Sequence, residues 1–388
     1  MINNLTIRNF RLFDELEIPK LGQVNLVVGK NNSGKSSVLE ALMILASQGN
    51  PITLATLLGQ HDENLRFDNP LADSNIGNIE SSFRHFFPKR IFPETDDLGI
   101  FIGTNDKDTF VQIEHRLFQE AFEEVQDEGG DLIRRIRRLP INRNSQALFS
   151  ENTQSSQALY ITTKQRSFWL DLDESELSRR RHRIGSGELG VIPCIYVPTD
   201  FVTPEQLASM WDKAALTEAE EYLIRALQII EADVRGLAFV SKEGAPFSRE
   251  SKRVAIVKLK DYPSPVPLAG MGDGMTRLLQ IILSLFSAKG GLLLLDEFAN
   301  GLHYSVQQKA WELVMHLAKE LDVQVFATTH SNDCIEAFSR SSIEDKQTDG
   351  MLFRLGRSVA EGEHNRVIAT LFNEEKLDRF TQASLEVR

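Results

Sequence analysis

Residues 29–37 read Gly-Lys-Asn-Asn-Ser-Gly-Lys-Ser-Ser, directly after the apolar run 24–28 and directly before the helix-like stretch 38–43. Glycines in this G-x-x-x-x-G-K-S spacing let the backbone wrap closely around an anion and present several N–H groups to it. The helix that follows adds the positive end of its dipole. The stretch therefore predicts a phosphate-binding loop between a buried strand and a helix.

Two side chains separate this loop from an ordinary glycine-rich turn, which is the alternative that needs no ligand. Lys35 is expected to reach the β and γ phosphates of a nucleotide, and the Ser36 hydroxyl to bind the Mg²⁺ that bridges them. ATP and Mg²⁺ are therefore the expected cofactors. The predicted nucleotide-binding residues of the loop are Gly29, Asn31, Asn32, Ser33, Gly34, Lys35, Ser36 and Ser37.

A second motif occupies residues 292–297, where a run of leucines is followed by Asp296 and Glu297. A continuous apolar run of this kind is typical of a strand that is buried on both faces of a parallel sheet. Asp296 is the expected second metal ligand beside Ser36. Glu297 is expected to orient or deprotonate the attacking water.

The run 323–329 predicts another strand, and His330 follows it directly. Polar groups at the carboxyl ends of strands in open α/β sheets often contact ligands. His330 is therefore a candidate sensor of the γ-phosphate and forms, with Glu297, the predicted catalytic pair. A lone histidine after a strand otherwise caps or packs, and the sequence leaves that alternative open.

The composition restricts the class of protein. The chain of 388 residues has a formal net charge of −12 and two cysteines, Cys194 and Cys334. The acidic balance argues against coating of nucleic acid by the whole surface, and two cysteines exclude a disulfide framework or a thiolate zinc site. Because residues 1–7 resemble a strand and no apolar run is long enough to span a bilayer, a soluble, cytoplasmic protein without a membrane partner is expected.

Residues 270–275, Gly-Met-Gly-Asp-Gly-Met, predict a glycine-rich turn in front of the helical stretch 276–282. Such a turn can present backbone N–H groups and a helix N-terminus to a second phosphate chain. Helices also begin with glycines where no ligand binds, so the interpretation depends on the position of the turn just before the Asp296 strand.

Together these motifs resemble the OLD and RecF-like branch of ABC-type (AAA) ATPases, in the stand-alone form of bacterial phage-defence loci. The resemblance rests on residues 7–11, the phosphate loop through Leu42, and residues 271–275, 296–303 and 328–331. It implies an α/β fold: an ABC-type ATPase head that combines a mixed sheet with a parallel sheet around the phosphate loop, plus an inserted region and a short helical arm.

Three groups of residues outside the loop receive roles from this resemblance. The first group is expected near the bound nucleotide. The second is the signature motif, expected to contact the ATP held by the opposite protomer, and the third is expected to cross the dimer interface. In that order the groups are Arg8, Asn9 and Arg11; Gly272, Asp273, Gly274 and Met275; and Asn300, Gly301 and His303.

The chain departs from the family pattern in its signature turn, its coupling loop and its final segment. The turn reads Gly-Asp-Gly where transporter ATPases have Ser-Gly-Gly, and the glutamine that couples Mg²⁺ to the arm has only positional candidates, Gln48 and Gln60. OLD proteins usually continue into a TOPRIM nuclease domain. Residues 331–388 contain no strand ending in Glu followed by one ending in Asp-x-Asp, so this nuclease is expected to be absent.

The predicted organisation has four parts, with the nucleotide motifs near the two ends. These parts are residues 1–50, the first ATPase lobe with the phosphate loop; 51–190, an insertion into the head; 191–253, a short helical arm; and 254–388, the second lobe with the signature turn, the Asp296 strand and His330.

The expected function is ATP hydrolysis by a nucleotide-gated homodimer or larger assembly that senses DNA or a phage component and controls a separate effector, such as a nuclease or toxin. A protein-only scaffold that cages such an effector, and a RecF-like DNA repair ATPase, are the alternatives; a transporter ATPase fits poorly because of the large insertion. Nucleic acid is a candidate partner through two arginine clusters, residues 134–138 with Arg143 and residues 179–183. The alternative is that these clusters are solvated surface faces.

Overall fold

The computed structural model describes residues 1–61, 63, 82–93, 98–105, 108–126, 132–141, 156–172, 192–200, 202–241, 253–344, 348–358 and 366–372. Its strands, numbered in chain order, are β1 (Leu5–Phe10), β2 (Phe13–Ile18), β3 (Val24–Gly29), β4 (Ile100–Gly103), β5 (Phe110–Gln126), β6 (Leu132–Ile141), β7 (Ser156–Thr163), β8 (Ser167–Asp171), β9 (Cys194–Val197), β10 (Val234–Ser241), β11 (Arg253–Leu259), β12 (Val266–Pro267), β13 (Leu292–Leu295), β14 (Gln324–Thr329), β15 (Gly350–Arg357) and β16 (Val367–Phe372).

Its α-helices are α1 (Lys35–Ala46), α2 (Pro51–Gln60), α3 (Pro204–Ala214), α4 (Glu218–Gln228), α5 (Asp273–Ser287), α6 (Tyr304–Glu320) and α7 (Asn332–Glu344). Short 3₁₀ helices cover Arg84–Phe86, Pro88–Arg90 and Leu268–Met271. Within the described ranges, no helix combines the length and the apolar character that a membrane span needs.

The chain divides into two compact units, each assembled from separate stretches of sequence. The first unit comprises Met1–Asn4, Ile18–Leu39 and Ile192–Arg388, and the second comprises Leu5–Glu17 and Glu40–Val191. Residues 191–253, predicted as a helical arm, contain α3 and α4 and also strands β9 and β10. The four-part organisation predicted from the sequence stays a prediction.

A sheet in the order β16-β15-β3-β14-β13-β9 forms the centre of the first unit. All of its neighbouring pairs are parallel except β15 and β16. Leu295 lies opposite both Ala327 and Val197, and Thr329 lies opposite Val28. The carboxyl ends of β3, β14, β13 and β9 therefore meet at one edge, which is where α/β sheets bind ligands. The predicted α/β class is confirmed.

Burial explains why these strands form. Every residue of β3 and of β13 is buried, as expected for Val- and Leu-rich strands covered on both faces. The leucine run predicted as a buried strand is therefore confirmed as β13, and the strand predicted before the phosphate loop is confirmed as β3.

Helix α5 is the most deeply buried helix of the first unit. Every residue from Leu278 to Leu285 is buried, and α3 and α4 pack against it. Local sequence explains where helix α3 begins, because Thr203 caps it in a reciprocal capping box with Gln206 and Pro204 occupies the first turn. An antiparallel sheet in the order β10-β11-β12 completes this unit.

The second unit is built on an antiparallel sheet in the order β2-β1-β4-β5-β7-β8, with β6 paired to β5. Strand β5, which lies in the middle of this sheet, is 17 residues long. Strand β1 pairs with β4, so Thr6 lies opposite Gly103 although they are far apart in sequence. The sheet therefore joins the first residues of the chain to the segment predicted as an insertion.

Candidate active site

The phosphate loop connects the buried end of β3 to the first turn of α1. Gly29, Asn32 and Gly34 all have positive φ angles, of 155°, 61° and 97°. A Cβ atom on Gly29 would lie 2.6 Å from Ser33 Oγ and 2.7 Å from the carbonyl oxygen of Leu355, so only glycine fits there. Asn31 and Asn32 are exposed at the crown of the loop, where this glycine spacing places the phosphate contacts.

Lys35 is buried inside this loop. Its ammonium group donates to the carbonyl oxygens of Gly29, at 3.1 Å, and Lys30, at 3.4 Å. Glu297 Oε1 lies 3.9 Å from the same nitrogen. Ser33 Oγ is buried without a hydrogen-bond partner. The loop therefore holds donors that are either unpaired or paired with neutral carbonyl groups, as a phosphate site requires.

Asp296 stands at the end of β13 among hydroxyl groups. Thr328 Oγ1 donates to its Oδ1 at 2.6 Å, and Thr199 Oγ1 donates to its Oδ2 at 3.3 Å. Ser36 Oγ lies 3.2 and 3.3 Å from the two carboxylate oxygens. Ser36 and Asp296, which are far apart in sequence, are thus brought together by α1 and β13.

Glu297 lies beside Asp296 in a left-handed conformation, with φ of 49°. Its backbone N–H donates to Thr328 Oγ1 at 2.8 Å, which fixes the peptide against β14. Its carboxylate reaches His330 Nδ1 at 2.8 Å on one side and approaches Lys35 on the other. A carboxylate held between two cationic or donor groups at a strand edge is positioned to orient a water or accept its proton.

Arg277 also holds the backbone of Asp296 and Glu297 in place. Its side chain is fully buried, and its guanidinium donates to the carbonyl oxygens of Asp296 at 2.7 Å, Glu297 at 2.9 Å and Pro198 at 2.9 Å. Burial lowers the pKa of Arg277 to about 10, while the nearby Asp296 and Glu297 carboxylates oppose that shift. The group therefore stays charged at neutral pH.

The predicted signature turn and interface loop pack against each other. A Cβ atom on Gly274 would lie 3.0 Å from the carbonyl oxygen of Gly301, so the two segments touch at a glycine. Gly272, with φ of 98°, precedes α5 and is exposed together with Asp273. Asn300, Gly301 and His303 are exposed as well, whereas Met275 is fully buried.

The remaining predicted nucleotide contacts lie in the second unit. Arg8 pairs with Glu15 at 2.8 Å, and Asn9 donates to the carbonyl oxygen of Gly99 at 3.1 Å. Arg11 forms ion pairs with Glu40 and with Glu63, the latter at 3.0 Å. The expected nucleotide role of Arg8, Asn9 and Arg11 stays a prediction.

The arginine clusters are only partly covered by the structure. Residues 134–138 belong to β6, whose backbone pairs with β5 through residues such as Glu123 and Glu124, but their side chains lie outside the described set. Arg143 and residues 179–183 also lie outside the described residues. Gln48 is buried after α1 and Gln60 ends α2, and their suggested coupling role stays a prediction.

The donor set suits Mg²⁺ and a nucleotide phosphate chain. One carboxylate and neighbouring hydroxyl groups are hard oxygen ligands, and Mg²⁺ usually takes one or two protein ligands and completes its shell with phosphate and water. Among the described residues there is no cluster of His, Cys, Asp and Glu that would hold a metal ion without a substrate. Ser36 and Asp296 would hold the ion, and the buried, unpaired Ser33 Oγ and the loop N–H groups would receive the phosphates.

Three residues whose side chains bind Asp296 or its backbone were not assigned a role from the sequence: Thr199, Arg277 and Thr328. Thr199 follows the short apolar strand β9, and Thr328 is within β14. The rule that places ligands at the carboxyl ends of parallel strands would have selected Thr199, had the pairing of β9 with β13 been known. Arg277 had no sequence signal beyond a charge on an otherwise apolar helical face.

Two family models match the parts of the chain that contain the site residues. Residues 1–182, which contain the phosphate loop, match the family described as "AAA ATPase domain". Residues 224–335, which contain the signature turn, Asp296, Glu297 and His330, match the family described as "AAA domain, putative AbiEii toxin, Type IV TA system".

Similar proteins include an ATP/GTP phosphatase of Helicobacter pylori, 23% identical over 361 residues and 87% of each chain. The RecF DNA replication and repair protein of Halalkalibacterium halodurans is 42% identical over 45 residues, or 12% of each chain. An uncharacterized protein of Methanocaldococcus jannaschii is 51% identical over 47 residues, which are 12% of this chain and 22% of that protein.

Two solved structures are similar to this chain over most of its length. An Smc head bound to the C-winged helix domain of ScpA has a TM-score of 0.47 at 12% identity, and the match covers 97% of this chain and 99% of that chain. The SMC head domain of Thermotoga maritima has a TM-score of 0.43 at 13% identity and covers 96% and 100%. Two segments of the chain thus match models of AAA ATPase domains, and together with the phosphatase relative these matches support the conclusion that the chain is an ATPase.

Proposed function

We propose that this ATPase works as a nucleotide-gated dimer of the ABC type. The observation that carries the proposal is that one unit holds two separate elements suited to phosphate. One is the phosphate loop with Lys35, and the other is the N-terminus of α5, where Gly272 and Asp273 are exposed beside the exposed residues Asn300, Gly301 and His303. Two copies would sandwich two ATP molecules, each between the loop of one copy and the turn of the other.

The chain's own residues divide the work of hydrolysis. Lys35 exchanges the carbonyl oxygens of Gly29 and Lys30 for the β and γ phosphates, because a charge-assisted hydrogen bond is stronger than a neutral one. Glu297 orients the attacking water and accepts its proton, and His330 reports the γ-phosphate to Glu297 through their shared contact. A bound Mg²⁺ would neutralise charge that develops on the phosphates, and Ser36 and Asp296 would hold it.

Hydrolysis would open the dimer, because the closed state depends on γ-phosphates that bridge the two copies. We propose that this switch controls a separate effector, such as a nuclease or toxin, in bacterial defence against phage, in response to DNA or a phage component. The resemblance to stand-alone OLD-like ATPases and the wording of the second family match support this role. The protein-only scaffold is the version of this proposal in which DNA takes no part.

A RecF-like role in DNA repair is the second candidate, favoured by the short segment shared with RecF. Double-stranded DNA would then stimulate ATP hydrolysis, and the stimulation would fall steeply with salt because phosphate contacts release counterions. Stimulation that is absent at low salt would remove this candidate and would favour the protein-only scaffold.

The test of the dimer is the mass in solution, measured by light scattering with and without ATP and Mg²⁺. Glu297→Gln should accumulate as an ATP-dependent dimer, because ATP binds but is not cleaved, while Lys35→Ala should keep the same mass in both conditions. A Glu297→Gln protein that stays monomeric at saturating ATP would contradict the proposal. A mass that is large and independent of ATP would indicate a constitutive scaffold instead.

A further inference from the structure

We propose that the Pro198–Thr199 peptide at the end of β9 couples the signature helix α5 and the interface loop to the metal-binding carboxylate, with Thr199 and Arg277 as positioning residues. This inference rests on the proposed dimer, because it concerns how contacts made by the partner copy would reach Asp296 and Glu297. None of the motifs predicted from the sequence includes this peptide.

Thr199 contacts the catalytic edge and the interface loop at the same time. Its hydroxyl donates to Asp296 Oδ2 at 3.3 Å, and its carbonyl oxygen accepts from Asn300 Nδ2 at 2.8 Å. Asn300 is exposed, so a partner copy can reach it, whereas Asp296 is buried. A single residue therefore connects the surface that a second copy would touch to the carboxylate that would hold Mg²⁺.

Pro198 receives the second connection, from α5. Arg277 lies one turn inside the helix that begins at Asp273, and its guanidinium holds the carbonyl oxygens of Pro198, Asp296 and Glu297 together. Because Arg277 is fully buried, releasing any of these acceptors leaves a desolvated charge with fewer partners, which is costly. A shift of α5 is therefore expected to move the Asp296–Glu297 peptide with it.

The two connections meet on adjacent residues of one strand end. The carbonyl oxygen of Val197, the residue before Pro198, accepts a hydrogen bond from the backbone N–H of Asp296 at 2.9 Å. The end of β9 is therefore also connected to Asp296 through the main chain. Close-packed groups of this kind change between discrete arrangements and do not deform smoothly. Docking of a partner on the signature turn and loop 300–303 would consequently alter the geometry of the metal ligand in the same copy.

Thermodynamic linkage turns this coupling into a measurable quantity. If dimerisation tightens Mg²⁺ binding at each site by some factor, each bound Mg²⁺ ion must tighten dimerisation by the same factor. The experiment titrates Mg²⁺ into Glu297→Gln with a fluorescent ATP analogue, at protein concentrations below and above the dimerisation midpoint, and follows nucleotide fluorescence and mass. We expect the Mg²⁺ affinity to be at least about fivefold tighter in the dimer.

Thr199→Val and Thr199→Ser, each added to Glu297→Gln, form the matched pair. Valine keeps the shape but removes the hydroxyl, so the dimer and the monomer should then bind Mg²⁺ with equal affinity. Serine keeps the hydroxyl and should retain the difference. Equal affinities in the parent, or an undiminished difference in Thr199→Val, would overturn the proposal.

A second variant protects the test from a folding defect. Asn300 is exposed, so Asn300→Ala should fold normally and should abolish the same difference by removing the contact to Thr199. Thr199→Val and Asn300→Ala combined should have no larger effect than either alone, because both break one chain of contacts; additive losses would contradict that chain.

If ATP produces no dimer at all, the mass alone reveals it, and both the proposed function and this inference fail; a dimer with unchanged Mg²⁺ affinity overturns the inference only.

Discussion

Charged side chains are satisfied differently in the two units of the protein. In the first unit, Asp296 accepts hydrogen bonds from the uncharged hydroxyl groups of Thr199 and Thr328, and Lys35 donates to backbone carbonyl groups. In the second unit, the Arg11 guanidinium bridges the carboxylates of Glu40 and Glu63, all of them largely buried. Phe86 also packs against Arg11, with the guanidinium carbon 5.5 Å from the ring centroid.

The difference distinguishes a cluster that can receive a charged ligand from one that stabilises the fold. The Asp296 carboxylate accepts from hydroxyl groups, and the carboxylate nearest to Lys35, that of Glu297, is 3.9 Å away, so a phosphate chain and a metal ion can replace these contacts at little cost. The opposed carboxylates around Arg11 already compensate its charge. Substitutions in the first cluster should therefore change activity more than stability, and those in the second should do the reverse.

The largest expected effect is that of Glu297→Gln on turnover. Replacing a general base with an amide of the same shape should lower kcat by about 10²–10⁴-fold and leave the unfolding midpoint unchanged. Steady-state phosphate release and thermal unfolding are the measurements. Glu336→Gln, at an exposed acid of α7 in the same unit, is the control that should keep the parental kcat. Unchanged turnover in Glu297→Gln would remove its assignment.

Arg11→Met should destabilise the protein by about 3–5 kcal/mol, because Glu40 and Glu63 would lose their shared buried partner. Denaturant unfolding measures this, and ATP affinity per folded molecule should not change. The control is Arg8→Met at a far more exposed pair with Glu15, where the loss should stay within about 1 kcal/mol. A stable Arg11→Met protein that fails to bind ATP would confirm the nucleotide role predicted from the sequence. It would also contradict the claim that the cluster around Arg11 stabilises the fold without binding the ligand.

The pH dependence of stability is a second property of the cluster around Arg11, because His61 contacts Glu40. The hydrogen bond to Glu40, at 2.5 Å, raises the pKa of His61 above its ordinary value of 6.5. A raised pKa in the folded state adds stability that is complete below pH 6.5 and is lost as the pH rises through the folded value. His85 opposes this trend, because burial lowers its pKa and makes its protonation unfavourable to folding. Unfolding midpoints across this range should show that His61→Gln is less sensitive to rising pH than the parent; an identical dependence would contradict the contact.

The smallest effect is expected on the exposed face of α4. Arg225 and Glu221 form an i, i+4 pair at 3.8 Å, and both side chains are mostly exposed. Arg225→Ala should change the free energy of unfolding by no more than about 0.5 kcal/mol and should leave ATP turnover unaltered. A larger loss would indicate that exposed ion pairs contribute more to the free energy of unfolding of this protein than their exposure predicts.

Local parts of the fold and site could be predicted from the sequence, because their signals are contiguous. The glycines, Lys35 and Ser36 stand within one loop, and the start of α3 at Thr203 is encoded by a capping residue followed by proline. The leucine run before Asp296 likewise specifies a buried strand. These elements require only neighbouring residues to form.

Contacts between distant stretches could not be predicted in this way. Thr199 reaches Asp296 only because β9 pairs with β13, and nothing near Cys194 in the sequence identifies that partner. The pairing of β1 with β4 is equally remote, and it combines residues 5–17 with a region that reads as a separate insertion. Strand partners depend on the packing of the complete sheet, so the hydroxyl groups around Asp296 emerge only in three dimensions.

The most direct test of the central claim is the affinity of Lys35→Ala for ATP, measured by equilibrium titration with Mg²⁺ present. Lys35 donates to carbonyl groups inside a loop built for phosphate, so its removal should abolish measurable binding while the unfolding midpoint stays near that of the parent. Thermal unfolding of the same samples confirms that the variant is folded. Retention of micromolar ATP affinity by a folded Lys35→Ala protein would contradict the assignment of this cluster as the nucleotide site.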